Sequence, residues 1–274
     1  MTKPSAEAVS ESFKKKVKRN VAENFDQSYR KYQTFEDRHR FFYSLAVKLA
    51  ESIDLQPGTA VLDVGCGNGI SARALNDRFG CRVLGVDLSD KMVAAGRSLC
   101  PGPDISLVVG DGERLVELTA GQQFDYVLYN ASIFIFPDVD QSFREASACL
   151  RPGGKIAFSF YPELVGPEGE DLMREAFSRL GEPMPRYKVI TPYKRVCQVL
   201  ARYCSVIGHY RWVRPLDLDF LKDFFAIPAQ SSSLFPGKTY ESRLPRTTAL
   251  LDTLSDFSEQ GRIVWRMAAG AKIP

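Results

Sequence analysis

Along residues 59–160 short apolar runs recur at intervals long enough for one helix each. The runs at 59–64, 82–87, 105–109, 124–129 and 154–160 read as strands. The amphipathic stretches at 70–78, 89–98, 112–119 and 139–149 read as helices. Apolar strands alternating with short helices predict a mostly parallel sheet covered on both faces, with right-handed crossovers. Upstream, residues 17–53 carry a helical period. Ser44, Leu45, Val47, Leu49 and Ala50 lie on a helix that should pack on the sheet, and the first 17 residues look loosely ordered. Downstream the rhythm changes. Residues 171–180 and 192–203 read as helices, separated by a proline-broken stretch. Residues 204–214 read as a strand, 217–225 as a helix, 226–239 as a loop, 244–259 as a helix and 262–268 as a last strand.

The first strand ends in the densest punctuation of the chain. Asp63 is followed by Gly65, Gly67 and Gly69, and a helix starts at Ile70. Such a turn lets a ligand lie against bare backbone and aims the N–H groups of a helix end at it. The spacing differs from the G-x-G-x-x-G of a dinucleotide site, and no G-K-S or G-K-T follows as in a phosphate-binding loop. A carboxylate beside the turn repels a pyrophosphate and suits an amine or cation.

The string VLDVGCGNG resembles motif I of the class I S-adenosylmethionine-dependent methyltransferases, in particular the small-molecule group that includes biotin- and quinone-pathway enzymes. VLGVDLSDKM (83–92), VVGDGERL (108–115), FDYVLYNASIFIFPD (124–138) and LRPGGKIAFSF (150–160) resemble the segments that follow it in that family. The resemblance implies a Rossmann-like three-layer α/β sandwich. Its sheet would have seven mostly parallel strands, with an antiparallel pair formed by the last two at one edge. It implies S-adenosylmethionine as cofactor, with S-adenosylhomocysteine as product, held by Asp63, Gly65, Gly67 and Gly69 at the amino acid end. Asp87 would take the ribose hydroxyls, Leu88 and Met92 would pack around the adenine, and Asp111 and Gly112 would meet its edge. Asn130 would face the sulfonium.

The same resemblance places Ile133, Phe134, Ile135 and Phe136 beside the transferring methyl. Many small-molecule enzymes have histidine or tryptophan where Ile135 stands, so no general base is expected there. The segment VAENFDQSYRKYQ resembles an N-terminal lid of one subgroup, with Tyr29 and Tyr32 the candidates for its polar contacts; the plain alternative is that its aromatics anchor a helix to the core. His209 is a candidate base, and His39, beside the proposed lid, a weaker one. Arg195 and Arg211 are chosen among the arginines to pair with an acidic substrate group. The expected layout is a helical segment over 1–50, a cofactor-binding core over 51–160, a substrate-shaping insert over 161–205 and completion of the sheet over 206–274. The expected function is direct methyl transfer to a small or carrier-attached organic acceptor. A nucleic-acid or protein methyltransferase, or a non-catalytic binder of the cofactor, is the alternative.

Composition adds bounds. A chain of 274 residues with 45% hydrophobic and 25% charged content suits a globular protein, and no apolar stretch is long enough to span a membrane. No signal-peptide core is evident, so a cytoplasmic location is expected. Six cysteines without C-x-x-C spacing and only two histidines suggest reduced thiols and no metal site. The net charge of +3 is weak. Its densest cluster, KKKVKR at 14–19, reads as a solvated basic helix end; an acidic carrier is the second reading. Nucleic acid is not favoured, since no recognition module is present. The oligomeric state is not legible.

Overall fold

A computed structural model describes residues 10–185 and 190–273, with Val206 and Ile207 described by their backbone only. Two helices lead the chain, α1 (Glu11–His39) and α2 (Phe41–Ser52). The alternating core follows: β1 (Ala60–Val64), α3 (Ile70–Phe79), β2 (Arg82–Asp87), α4 (Asp90–Leu99), β3 (Ile105–Val109), α5 (Leu115–Thr119), β4 (Phe124–Tyr129), α6 (Val139–Cys149) and β5 (Leu150–Ser159). The C-terminal part comprises β6 (Glu163–Val165), α7 (Leu172–Leu180), α8 (Tyr193–Tyr203), β7 (Cys204–Pro215), α9 (Leu218–Phe225), α10 (Pro228–Ser231), α11 (Tyr240–Asp252) and β8 (Arg262–Lys272).

The sheet runs β3-β2-β1-β4-β5-β8, with β7 beyond β8. The first five strands are parallel and β8 is antiparallel to both neighbours. The piece β6 pairs with β8 from Glu163↔Val264 to Val165↔Arg262, on the side where β5 ends at Ser159↔Met267. It therefore continues the fifth strand after a break, and the expected seven-strand plan holds with that strand interrupted. The order reverses between β1 and β4, which opens a crevice at the carboxyl ends of those strands.

Alternation along each strand builds the layers. Val61, Tyr126, Leu128 and Ala157 point into one core with Leu49 and Ala50 of α2 and Leu75 of α3. Leu62, Val64, Val127, Tyr129, Ile156 and Phe158 point into the other, with Phe143 of α6 and Phe177 of α7. The second core ends in an aromatic cluster. Phe41 lies 4.8 Å from Trp265 and stacks on Trp212 at 5.8 Å, and Phe35 reaches Phe41, Phe220 and Phe224. Trp212 and Trp265 face each other directly across β7 and β8, with centroids 5.4 Å apart.

Helix α1 begins earlier than its pattern suggests. Ser10 caps it by accepting from the Phe13 N–H, so residues 11–17 are helical, and the expected looseness of residues 1–9 falls outside the described residues. The helix stops at Arg40, whose φ of 44° is left-handed. The buried Glu36 carboxylate then accepts from the backbone N–H groups of Phe42 and Tyr43, capping α2. An anion at a helix N-terminus is favoured there, and burial pushes its pKa up. The expected loop after Phe225 contains the short α10, and the following helix starts at Tyr240 and ends at Asp252, short of the expected 259.

Candidate active site

The crevice outside β1 and β4 holds a cavity of about 870 Å³, counting the part open to solvent. Of the residues expected there, Gly65, Gly67, Asp87, Leu88, Met92, Asp111, Gly112, Asn130, Ile135, Phe136 and Tyr32 line it.

The glycine turn is shaped for close approach. Gly65 has φ 76°, and a Cβ there would come within 2.5 Å of Ser132, whose hydroxyl donates to the Val64 carbonyl at 2.6 Å. Gly67 has φ 54° and donates its N–H to Asp87. Gly69 departs from expectation. It does not line the cavity; a Cβ there would hit Cys100 and Leu107, so its bareness serves the packing of α3.

Asp63 stands behind the cavity wall. It is fully buried, and neither carboxylate oxygen has a hydrogen-bond partner. Burial, with the Asp87 charge adding to it, pushes its pKa up to about 7. An orphaned buried carboxylate behind a bare backbone turn fits a ligand that brings a cation or an ordered water to it. Asp87 ends β2 and accepts from the N–H groups of Gly67 and Ser89 at 2.8 and 2.9 Å. Each carboxylate oxygen keeps lone pairs for vicinal hydroxyls. Burial raises its pKa against those bonds. The helix cap is Ser89, not Asp87.

Asp111 is more occupied than expected. One oxygen accepts from the Glu113 N–H and the other from the Lys18 ammonium at 2.7 Å. Lys18 also pairs with Glu113 at 2.5 Å, and Lys14 with Asp138 at 2.8 Å. Two lysines of the basic cluster thus clamp α1 onto three acids at the cavity rim, which corrects the reading of a solvated helix end; only Lys15, Lys16 and Arg19 remain exposed. Phe136 packs against Gly112 and Tyr129, so it belongs to the Asp111 end of the cavity.

Asn130 is a structural tie. Its amide donates to the Phe42 carbonyl and the Ser71 hydroxyl, and its oxygen accepts from Ser159. Those bonds join α2, α3 and β5 beneath the cavity and take up both amide protons, which argues against the expected catalytic role. Ile133 and Phe134 also miss the cavity. Ile133 is core, and Phe134 packs on Phe160 and Tyr161. Of the four residues expected beside the methyl, only Ile135 and Phe136 reach the wall.

Tyr32 lines the cavity, stacked with Phe25 and tilted against Phe42, and its hydroxyl accepts from Gln230 of α10 at 2.5 Å. Burial raises its pKa, so it is a phenol and not a phenolate at neutral pH. Tyr29 does not line the cavity; its hydroxyl accepts from Arg30. His39 ties α1 to α9 through Asp223 at 2.8 Å. His209 and Arg211 face a separate depression between α7 and the β7–β8 pair, where His209 Nδ1 lies 2.9 Å from the Tyr193 hydroxyl. Arg195 is exposed on α8 and lines neither. The structure therefore does not bring these three residues to the crevice.

Lys18, Val21 and Phe25 were missed as wall residues. With Tyr32 they fall at intervals of three, four and seven, one face of a helix, and that signal was present in the sequence.

Residues 62–158 match the family model of a methyltransferase domain, and residues 12–107 match that of mycolic acid cyclopropane synthetase. Phosphoethanolamine N-methyltransferase 2 of Caenorhabditis elegans is 34% identical over 118 residues, 43% of this chain and 27% of that protein. Demethylmenaquinone methyltransferase of Shouchella clausii is 32% identical over 146 residues, 50% of this chain and 60% of that protein. The chain thus spans less than two thirds of the length of these relatives. In fold, geranyl diphosphate C-methyltransferase of Streptomyces coelicolor A3(2) is similar over 94% of this chain and 98% of that one, with a TM-score of 0.59 and 17% identity.

Proposed function

We propose that this chain, whose residues 62–158 match a methyltransferase-domain model, is a class I S-adenosylmethionine-dependent enzyme that moves a methyl group from that cofactor to a small or carrier-attached organic acceptor enclosed beneath α1. The observation that carries the reading is the orphaned Asp63 carboxylate behind the Gly65–Gly67 turn, with Asp87 at the next strand tip. When bound, S-adenosylmethionine supplies an activated methyl group. Asp63 would offset its ammonium, Gly65 and Gly67 would let its amino acid end lie on backbone, and Asp87 would accept from the ribose. Leu88 and Met92 would wall the adenine, with Gly112 and Asp111 at its edge.

Direct displacement at carbon needs alignment and dryness more than acid assistance. The residues over the rest of the cavity fit that need. Phe25, Phe42 and Ile135 are apolar, and the Tyr32 hydroxyl, which accepts from Gln230, keeps its own proton to donate. With isoleucine in the loop and Tyr32 kept as a phenol, an acceptor that is ionised before it binds, a carboxylate or an enolate, suits the site best.

Titration calorimetry with S-adenosylmethionine tests the reading. Binding in the micromolar range, about 8 kcal/mol, is expected. Asp87→Ala, which leaves the ribose donors without acceptors, is expected to weaken it at least tenfold. A labelled methyl donor with a metabolite extract should then place label in a small product. Label confined to RNA or protein, or a folded Asp87→Ala protein with unchanged affinity, would overturn the assignment.

A further inference from the structure

The C-terminal helices contain a buried cation that no acid meets in an ion pair among the described residues; only the exposed Glu241 carboxylate, two residues away, acts on it from a distance. Arg243 lies in the first turns of α11 and is 9% exposed. Its Nε is buried with no partner, and of its two terminal nitrogens Nη2 makes only a long 3.4 Å contact with the Pro228 carbonyl of α10. No carboxylate pairs with it among the described residues. Arg151, Arg179, Arg246 and Arg266, all far more exposed, each meet an acid. The Tyr240 ring lies 6.0 Å away, a cation–π contact at the outer limit of range that offsets little of a buried charge. The helix dipole makes matters worse, since a cation near a helix N-terminus sits at the positive end. One turn on, the buried Thr247 hydroxyl is also unpartnered. Positions i and i+4 share a helix face, so an unspent guanidinium and an unspent hydroxyl lie side by side. A water could satisfy Nε but would not neutralise the charge.

We propose that Arg243 and Thr247 form a binding site for an anionic oxygen group, a carboxylate or a phosphate monoester. A guanidinium fork offers two parallel N–H bonds to such a group, and a neighbouring hydroxyl offers a third. Burial already pulls the guanidinium pKa down, as expected for a cation lacking its anion. The site is linked to the crevice through α10. Pro228 touches Arg243, and Gln230 two residues later holds the Tyr32 hydroxyl. Neither residue lines the crevice, so, resting on the methyltransferase reading, one source of the anion is the acidic end of an acceptor that reaches past α10. The other source of the same chemistry is a free inorganic or metabolic anion. The charged residues facing Arg243 are few: Glu241 on its own helix is exposed, and α10 carries no charge.

The test compares the full chain with Arg243→Met and Thr247→Val by thermal melting, in chloride and in inorganic phosphate or citrate at matched ionic strength. Wild type is expected to melt higher in phosphate or citrate. Arg243→Met, which removes an uncompensated buried charge and keeps the volume, is expected to melt above wild type in chloride and to lose the anion response. Thr247→Val should reduce the response. If wild type shows no anion response, or if Arg243→Met melts lower and keeps it, the site does not exist. A second arm separates the sources. If the acceptor supplies the anion, Arg243→Met raises its KM roughly tenfold or more. If a free anion is the ligand, KM stays put while the melting response is still lost. S-adenosylmethionine affinity, measured on the same proteins, is independent of both. Its absence would remove the methyltransferase reading and leave the melting result standing.

Discussion

At the scale of single residues, Asp63 links the pocket to solution pH. In the folded protein its carboxyl holds a proton up to about pH 7, against an ordinary value of 3.8. Between those values the folded state binds more protons than the unfolded one, so the ligand-free protein loses stability as pH rises from about 4 to 7, and the loss is complete above 7. It amounts to roughly 4 kcal/mol at most. A cation placed at Asp63 reverses the preference. Binding below pH 7 must expel the proton, so affinity for S-adenosylmethionine is expected to strengthen from pH 6 to 8 and then level off. Calorimetry in buffers of different ionisation enthalpy should find nearly one proton released at pH 6 and few at pH 8. Asp63→Asn should flatten both profiles while raising the ligand-free melting temperature at pH 8. Equal proton release at both pH values would place the cation elsewhere.

Much of this was legible from the chain. The Asp63–Gly65–Gly67 turn and Asp87 stand where the strand rhythm put them. Asn130 stands at the end of β4 and lines the cavity as expected, but its tie to Phe42, Ser71 and Ser159 was not legible, because those partners lie 88, 59 and 29 residues away. Spacing along a chain does not reveal which amide protons are already spent.

At the scale of elements, α1 divides into two parts held by different forces. Its second half is core: Tyr32, Phe35 and Glu36 are buried and joined to α2, α9 and α10. Its first half is held over the cavity rim by Lys14 and Lys18, which pair with three acids from two other segments. The basic run was visible in the sequence, but the acids it meets were scattered over residues 111–138, so only its local face was legible. Partly buried pairs of this kind contribute about 1–2 kcal/mol together at low salt and less when screened. Lys14→Ala with Lys18→Ala is expected to speed amide exchange over residues 11–25 about tenfold, and 1 M salt should do the same to wild type. S-adenosylmethionine association should quicken in both, since the Asp111 edge is released. Unchanged exchange would show that apolar contacts, not charges, hold the segment.

At the scale of the whole molecule, the two parts of α1 set where the chain tolerates cutting. Removing residues 1–19 takes away the rim clamp and no core aromatic, and a folded protein with nearly wild-type melting is expected. Removing 1–35 strips Tyr32 and Phe35 from the aromatic cluster and should cost at least about 5 kcal/mol, read as a collapse of the urea midpoint. A cut at 35 that melted like wild type would mean that the cluster closes without α1. The fold as a whole was well read from sequence because its parallel half is built from repeating local units. The break between β5 and β6 was not, since the β6 residues in the turn-rich 161–171 stretch find their strand partner in β8, about a hundred residues on.

The facing Trp212 and Trp265 carry a consequence of their own. They are the only two indoles in the chain, and 5.4 Å between tilted rings is close enough for their excited states to mix. The far-ultraviolet circular dichroism should contain a signed couplet superimposed on the helical spectrum, and either Trp→Phe substitution should erase it. The pair spans the antiparallel edge, away from the crevice. The couplet is therefore a native optical gauge of the β7–β8 ladder, indifferent to what occupies the pocket and silent once that ladder parts.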